Sequence, residues 1–576
     1  MKKYTFLSRA AALLIAAGVL ISALTSCLYL PSPLPSPPPS DSQIRDPLAN
    51  IPPTDPVYQY GEIEPGVKGK DIVYTPYTAS SLEYSVTAGT VVLYERLLKE
   101  CHKIYYEGSL ENEDIFLSTL YETVSYVKYF QSEYEVADLL FQLDTSDAAA
   151  AQTSMDAYKL WQECSQKYWH FSNEAEKNPT ALYDTLLYFQ TEAFDEIVMR
   201  SKKAKEHEAR IHEIRTEFAS LPQGASQHKV LPVYLAFLKE ARAFAQACHY
   251  DSYYDYASKE MYNLKYTKKQ RETLRQYVKD YIVPAYREYA AKSDQLDNSI
   301  SRSDYLKSVS YSKDDFREVC YVELFDYLDA LPTSIGARMK SAFVYDRIVY
   351  ATKSTADPVA HVEYIGNTPI IYYHTDDLNL ITVSHELGHY CYGLIEPNAS
   401  TSYDLKEVHS TGNSLLFISY LRDKLDPQAY EAFCTYEISN ILFQMIQSAI
   451  KDEFDELIYS MEDTDDLTVD DLNGMMDELI DEYGARGLTG KSDMQLRTHW
   501  NRHAISSPAY FFNYASAGWI ALELYRISLE NFDRATSLYQ HLLENVAYGG
   551  ALLRTARDAG IRTPFDDDFP KYNEGQ

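Results

Sequence analysis

Ile381-Thr382-Val383-Ser384-His385-Glu386-Leu387-Gly388-His389-Tyr390 is the stretch on which the reading of this chain turns. It contains the pattern His-Glu-x-x-His. On a helix, residues four apart share a face, so His385 and His389 can hold one metal ion while Glu386 sits beside the attacking water as a base. The surrounding residues support a helix. Asp376, Asp377 and Asn379 offer N-cap side chains, the apolar positions Leu380, Ile381, Leu387, Cys391 and Leu394 roughly follow a 3.6-residue period, and Gly393 is read as the stop.

A catalytic site of this kind needs a third protein ligand and one open position. After His389 the candidates are Glu396, Asp404, Glu407 and His409. A close third histidine preceded by glycine is excluded, because Tyr392 and Ile395 stand at those places. Glu396 precedes Pro397 in a turn-like segment. Ser402 is suited to cap a new helix in which Val408, Thr411, Leu415 and Ile418 keep helical spacing, and Glu407 falls within its first two turns. Glu407 is therefore the expected third ligand.

Upstream, residues 80–350 read as helical nearly throughout, with long stretches poor in Gly and Pro such as 204–220 and 234–248. Breaks fall at Leu221-Pro222-Gln223-Gly224 and Leu331-Pro332-Thr333. The period then changes. His361 to Ile365 and Thr368 to Tyr373 read as two short strands about Gly366-Asn367, which predicts a hairpin just before the metal helix. A strand there could offer an edge to an extended peptide.

The chain has 576 residues, 45% of them hydrophobic, enough for a large core and more than one lobe. Its formal charge of -31 argues against nucleic acid, which needs clustered Lys and Arg, and fits a well-solvated surface. Tyrosine is abundant, at 52 residues, and suits both helix packing and the wall of a wet channel.

The N-terminus reads as a leader. Lys2 and Lys3 precede an apolar run, Ala11 to Ile21, too short to span a bilayer, and Leu24-Thr25-Ser26-Cys27 resembles the bacterial lipoprotein box. Residues 1–26 are thus expected to be removed and Cys27 lipidated, placing the protein outside the cytoplasm, anchored to a bacterial membrane. Ten prolines between Leu28 and Pro56 favour extended polyproline II, so residues 27–60 read as a stiff tether, followed by an N-terminal helical domain over 61–220 and a catalytic domain over 221–576. The six remaining cysteines, Cys101, Cys164, Cys248, Cys320, Cys391 and Cys434, have no metal-site spacing and read as scattered thiols.

His385-Glu386-Leu387-Gly388-His389 followed by Glu407-Val408-His409-Ser410-Thr411-Gly412-Asn413 resembles the oligoendopeptidase F and thimet oligopeptidase family of zinc metallopeptidases. So does the later segment with Trp500, His503, Tyr510, Phe511, Phe512, Asn513, Tyr514 and Ala515. The resemblance spans about 360–520. It implies a mainly α, multi-helix zincin fold with a deep substrate channel and a small β-element beside the metal helix. It further implies one zinc ion per chain on His385, His389 and Glu407, Glu386 as general base, and His503, Tyr510 and Tyr514 in contact with the substrate or the oxyanion. Short or unfolded peptides would be the substrates and a monomer the expected state. This chain departs from the family in three ways: a shorter spacer from His389 to Glu407, Ser414 where a second Glu is usual, and Phe512 in place of a tyrosine. An aminopeptidase-type gluzincin has similar ligand spacing, but its Gly-x-Met-Glu-Asn loop is absent from this sequence. A lipoprotein that captures peptides without cleaving them is the non-enzymatic alternative.

Overall fold

The structure is a computed structural model and describes residues 77–186, 201–222, 224–297, 324–357, 359–366, 368–374, 380–395, 402–488, 492–544 and 552–565. The proposed leader, Cys27, the tether, Cys320, the N-cap residues 376–379 and Glu396 lie outside them. Within the described residues the chain is mainly helical with one three-stranded sheet. No described helix is long and apolar enough to cross a membrane.

Three helices open the chain: α1 (Ala88–Glu107), α2 (Glu113–Gln142) and α3 (Ala148–Lys177). Each begins on a residue of the kind that stops strands and starts helices. Thr87 caps α1 by accepting from the Thr90 N–H, and Asp147 caps α3 by accepting from the N–H groups of Ala149 and Ala150. Their apolar faces close over a core that includes Tyr94, Leu97, Phe116, Val127, Phe130, Tyr168 and Phe171.

A second, larger core begins at Ala204. It takes in α4 (Lys202–Ala219) and α5 (Gln227–Ala247), the helices read from 204–220 and 234–248, with a break between them where Pro222 was noted. The break at Pro332 likewise separates helices Phe325–Ala330 and Thr333–Val344.

The sheet has the order β1-β3-β2, with β1 (Ile348–Ala351), β2 (His361–Ile365) and β3 (Thr368–His374). The hairpin expected from the sequence is present, β2 pairing antiparallel with β3 from Ile365↔Thr368 to His361↔Tyr372. β1 was not foreseen; it ends the stretch read as helical and pairs parallel with β3. Its four residues are almost wholly buried, so they show no alternation to announce a strand. The sheet docks on α2: Val136 and Leu139 share a small core with Val349, Ile365, Ile370 and Tyr372, and the Gly366 N–H donates to Glu135 Oε2 at 2.6 Å. β2 lies at the sheet edge.

Four helices frame the candidate site: α6 (Leu380–Ile395), α7 (Tyr403–Tyr420), α8 (Pro427–Ser460) and α9 (Phe512–Glu530). α7 packs against both α6 and α9 and is buried almost end to end. Its small residues Ser410, Thr411, Gly412 and Ser414 permit that close packing. Among the described cysteines, Cys101, Cys164, Cys248, Cys391 and Cys434 are free thiols.

Many tyrosines prove to be packing residues with satisfied tips. Tyr254 donates to Asp452 at 2.7 Å, Tyr459 to the Ala504 carbonyl at 2.7 Å and Tyr539 to the His409 carbonyl at 2.8 Å.

Candidate metal centre

α6 turns Leu380, Val383, Leu387, Tyr390 and Cys391 into the core and leaves His385 and His389 on the opposite face, with 24% and 17% of their side chains exposed. Two features hold α6 against α7. A Cβ added to Gly388 would lie 2.4 Å from the His409 carbonyl oxygen and 2.7 Å from Ser410 Cα, so this glycine lets the two backbones touch. Asn413 then reaches across, its Nδ2 donating to the Ser384 carbonyl at 2.5 Å while its Oδ1 accepts from Tyr327 at 2.7 Å. Gly393 does not stop α6, which continues to Ile395; a Cβ there would meet the Tyr364 ring at 2.6 Å, so this glycine admits β2 instead.

The crossing delivers Glu407 beneath the histidines. Its Oε2 lies 3.8 Å from His385 Nε2 and 3.6 Å from His389 Nε2, close to the roughly 3.4 Å edge of a tetrahedron with bonds of about 2.1 Å. The ligand atoms of His385, His389 and Glu407 all lie within 4.8 Å of one another. Ser410 donates to Glu407 Oε2 at 3.2 Å, and the Tyr510 hydroxyl donates to Oε1. Burial pushes Glu407 up to about 7, opposed by the hydrogen bonds from Tyr510 and Ser410. Burial likewise pulls His385 down to about 4 and holds His389 well below the ordinary histidine value. Two neutral imidazoles and one buried carboxylate without a counter-ion form the donor set that a borderline-soft dication such as zinc favours.

Glu386, 4% exposed, lies near enough to Tyr364 and Tyr514 for its carboxylate to add to the upward shift of both phenols, after the larger effects of burial and of other neighbours. Tyr510 and Tyr514 are edge-to-face at 5.4 Å, and both hydroxyls are held protonated, first by burial and then by the Glu407 carboxylate. They remain donors at all ordinary pH.

The structure therefore brings together His385, His389, Glu386, Glu407, Tyr510 and Tyr514. His503 stands apart from the ligand atoms. Its ring stacks on His499 at 6.4 Å and meets Phe511 at 5.8 Å, with Phe511 between it and Tyr514. Ser414 donates to the carbonyls of Ser410, at 3.3 Å, and Ile381, at 3.4 Å, binding α7 to the first turn of α6. Phe512 is buried against Tyr266.

Two supports escaped the sequence reading. Ser410 and Asn413 belong to the quoted motif, yet their roles emerge only from the helix crossing. Asp455 on α8 accepts from His499 Nε2 at 2.8 Å and from the Ala509 N–H at 3.0 Å, pinning Ala509 at φ 57, immediately before Tyr510. Nothing local in the sequence links residues so far apart.

Fold and site together define a helical protein in which an HExxH helix is crossed by a second helix that supplies a glutamate, with a small sheet alongside. Solved structures share this fold. A PZ peptidase A solved with an inhibitor aligns over 85% of this chain and 96% of its own, with a TM-score of 0.65 at 14% identity. A protein assigned as oligoendopeptidase F aligns over 85% and 96%, at TM-score 0.64 and 13% identity, and another from Bacillus anthracis over 85% and 95%, at 0.61 and 13%. The resemblance read from the motifs thus holds at the level of fold. No family model matches the sequence, nor does any curated protein.

Proposed function

We propose that this protein is a zinc-dependent endopeptidase that hydrolyses short or unfolded peptides. The convergence of His385, His389 and Glu407 next to Glu386 carries the reading, and the shared fold with peptidases supports it. When bound, the zinc ion supplies Lewis acidity for the scissile carbonyl and lowers the pKa of water.

The chain's own residues do the rest. Glu386 takes a proton from the attacking water and returns it to the leaving amine. Tyr514 donates to the developing oxyanion, an effect on the order of 3 kcal/mol for one donor in comparable sites. Tyr510 has a separate duty, because its hydroxyl is engaged with Glu407 Oε1 and so fixes the orientation of that carboxylate. β2, at the sheet edge and touching α6 through Tyr364, offers backbone groups to an extended peptide. His503 is assigned to the bound peptide rather than to the metal ligands. Residues 1–26 serve as a lipoprotein leader, and Cys27 anchors the enzyme outside the cytoplasm.

The test is mass spectrometry of a mixed-length peptide library after incubation with the protein, its Glu386→Gln variant and a chelator-treated sample. Internal cleavage lost in both controls supports the reading. Stepwise loss of N-terminal residues would replace it with an aminopeptidase, and retained, uncut peptides with a binding protein.

A further inference from the structure

Arg215, on α4, is a half-buried cation. Its Nε donates to the Ile505 carbonyl at 3.0 Å, and its guanidinium carbon stands 5.7 Å from the Phe237 ring centroid. Its Nη2 is buried with no hydrogen-bond partner, and among the described residues it makes no ion pair. The neighbouring carboxylate on α4, Glu213, is taken by Lys159 and Arg210. Tyr253, Tyr262, Tyr459 and Tyr134 lie near enough to act on the Arg215 guanidinium electrostatically. In a chain with 84 Asp and Glu against 53 Lys and Arg, a half-buried guanidinium left without a carboxylate is unexpected. Burying a permanent charge is costly unless a counter-ion completes it.

The position links it to the candidate centre. Tyr262 meets the Tyr510 ring at 5.2 Å, and Tyr510 donates to Glu407, so two aromatic rings separate Arg215 from the metal ligands. Ile505, which it holds, lies between His503 and Tyr510. Arg215 thus grips the segment carrying both tyrosines and leaves its Nη2 without a partner. The planar guanidinium fork is matched by a carboxylate.

Resting on the peptidase reading, we propose that Arg215 anchors a carboxylate of the substrate peptide, its C-terminus or an acidic side chain, beyond the Tyr262–Tyr510 pair. Peptides would then be selected by the distance between the scissile bond and a negative charge.

The experiment uses N-terminally blocked peptides of one sequence in three forms: free acid, carboxamide, and carboxamide with one internal Gln replaced by Glu. kcat/KM is measured for the parent protein and for Arg215→Gln and Arg215→Lys. Binding of the same peptides to Glu386→Gln, with and without Arg215→Gln, is followed by fluorescence anisotropy. The parent should favour a carboxylate-bearing form over the plain carboxamide by about tenfold or more, and Arg215→Gln should bring that ratio to about one. Preference for the free acid identifies the terminus; preference for the Glu form alone identifies a side chain. Equal handling of all three by the parent overturns the proposal, as does a ratio that survives in Arg215→Gln while all rates fall together. The binding arm separates the two failures. If nothing is cleaved but the charged peptides bind tenfold better through Arg215, the peptidase reading fails and the anchor stands.

Discussion

Glu407 is the residue on which the candidate centre's pH behaviour depends. Burial raises it to about 7, whereas His385 titrates near 4, so between pH 5 and 8 Glu407 is the ligand that changes charge. The sign follows from the direction of the shift. A carboxylate whose folded value lies above its unfolded value contributes stability at low pH that is lost as pH rises through about 7 in the metal-free protein. Zinc reverses this preference by favouring the ionised form. Zinc affinity should therefore weaken about tenfold for each pH unit below about 7, as one proton competes with one metal, and competition with a chelating dye measures it. The tyrosines should separate cleanly. Tyr514→Phe should lower kcat about a hundredfold with zinc affinity intact. Tyr510→Phe should weaken zinc binding about tenfold, in line with the loss of a ligand's supporting hydrogen bond. Steady-state kinetics and metal titration of both variants check the division.

Among the elements, the crossing of α6 and α7 decides whether the site exists. Gly388→Ala should gain up to about 1 kcal/mol of helix propensity, but the added methyl would overlap the His409 carbonyl, and overpacking costs about 1–3 kcal/mol or more. Strain outweighs propensity, so chemical denaturation should show a net loss and the zinc affinity should fall with it. Much of this architecture was legible in the sequence. α6 and α7 announced themselves because apolar period and ligand spacing agreed, whereas Ser402, at the start of α7, makes no side-chain capping hydrogen bond. The β2–β3 hairpin was legible from two short β-rich runs about Gly366-Asn367. β1 was not, since a short buried strand pairing in parallel with β3 has no local signature. Gly393 misled as a helix stop because its use is tertiary, making room for Tyr364. The link from Asp455 to His499 and Ala509 spans separations of 44 and 54 residues and was invisible for the same reason.

The whole molecule is a large, acidic, mainly helical chain with a lipid anchor proposed at Cys27. If Cys27 carries lipid, the full chain expressed in a bacterial host should sediment with membranes, and Cys27→Ser should shift it to the soluble extracytoplasmic fraction with peptide cleavage retained; fractionation followed by immunoblotting reads this out. The central claim is that one metal ion at His385, His389 and Glu407 enables Glu386 to direct hydrolysis. It is tested most directly by adding zinc stepwise to the metal-free protein while following an internally quenched peptide. Cleavage should rise linearly and level off at one zinc per chain, and Glu386→Gln should take up the same zinc yet cleave about 10²–10⁴ times more slowly. Full cleavage by the metal-free protein, or parent-like cleavage by Glu386→Gln, would contradict it.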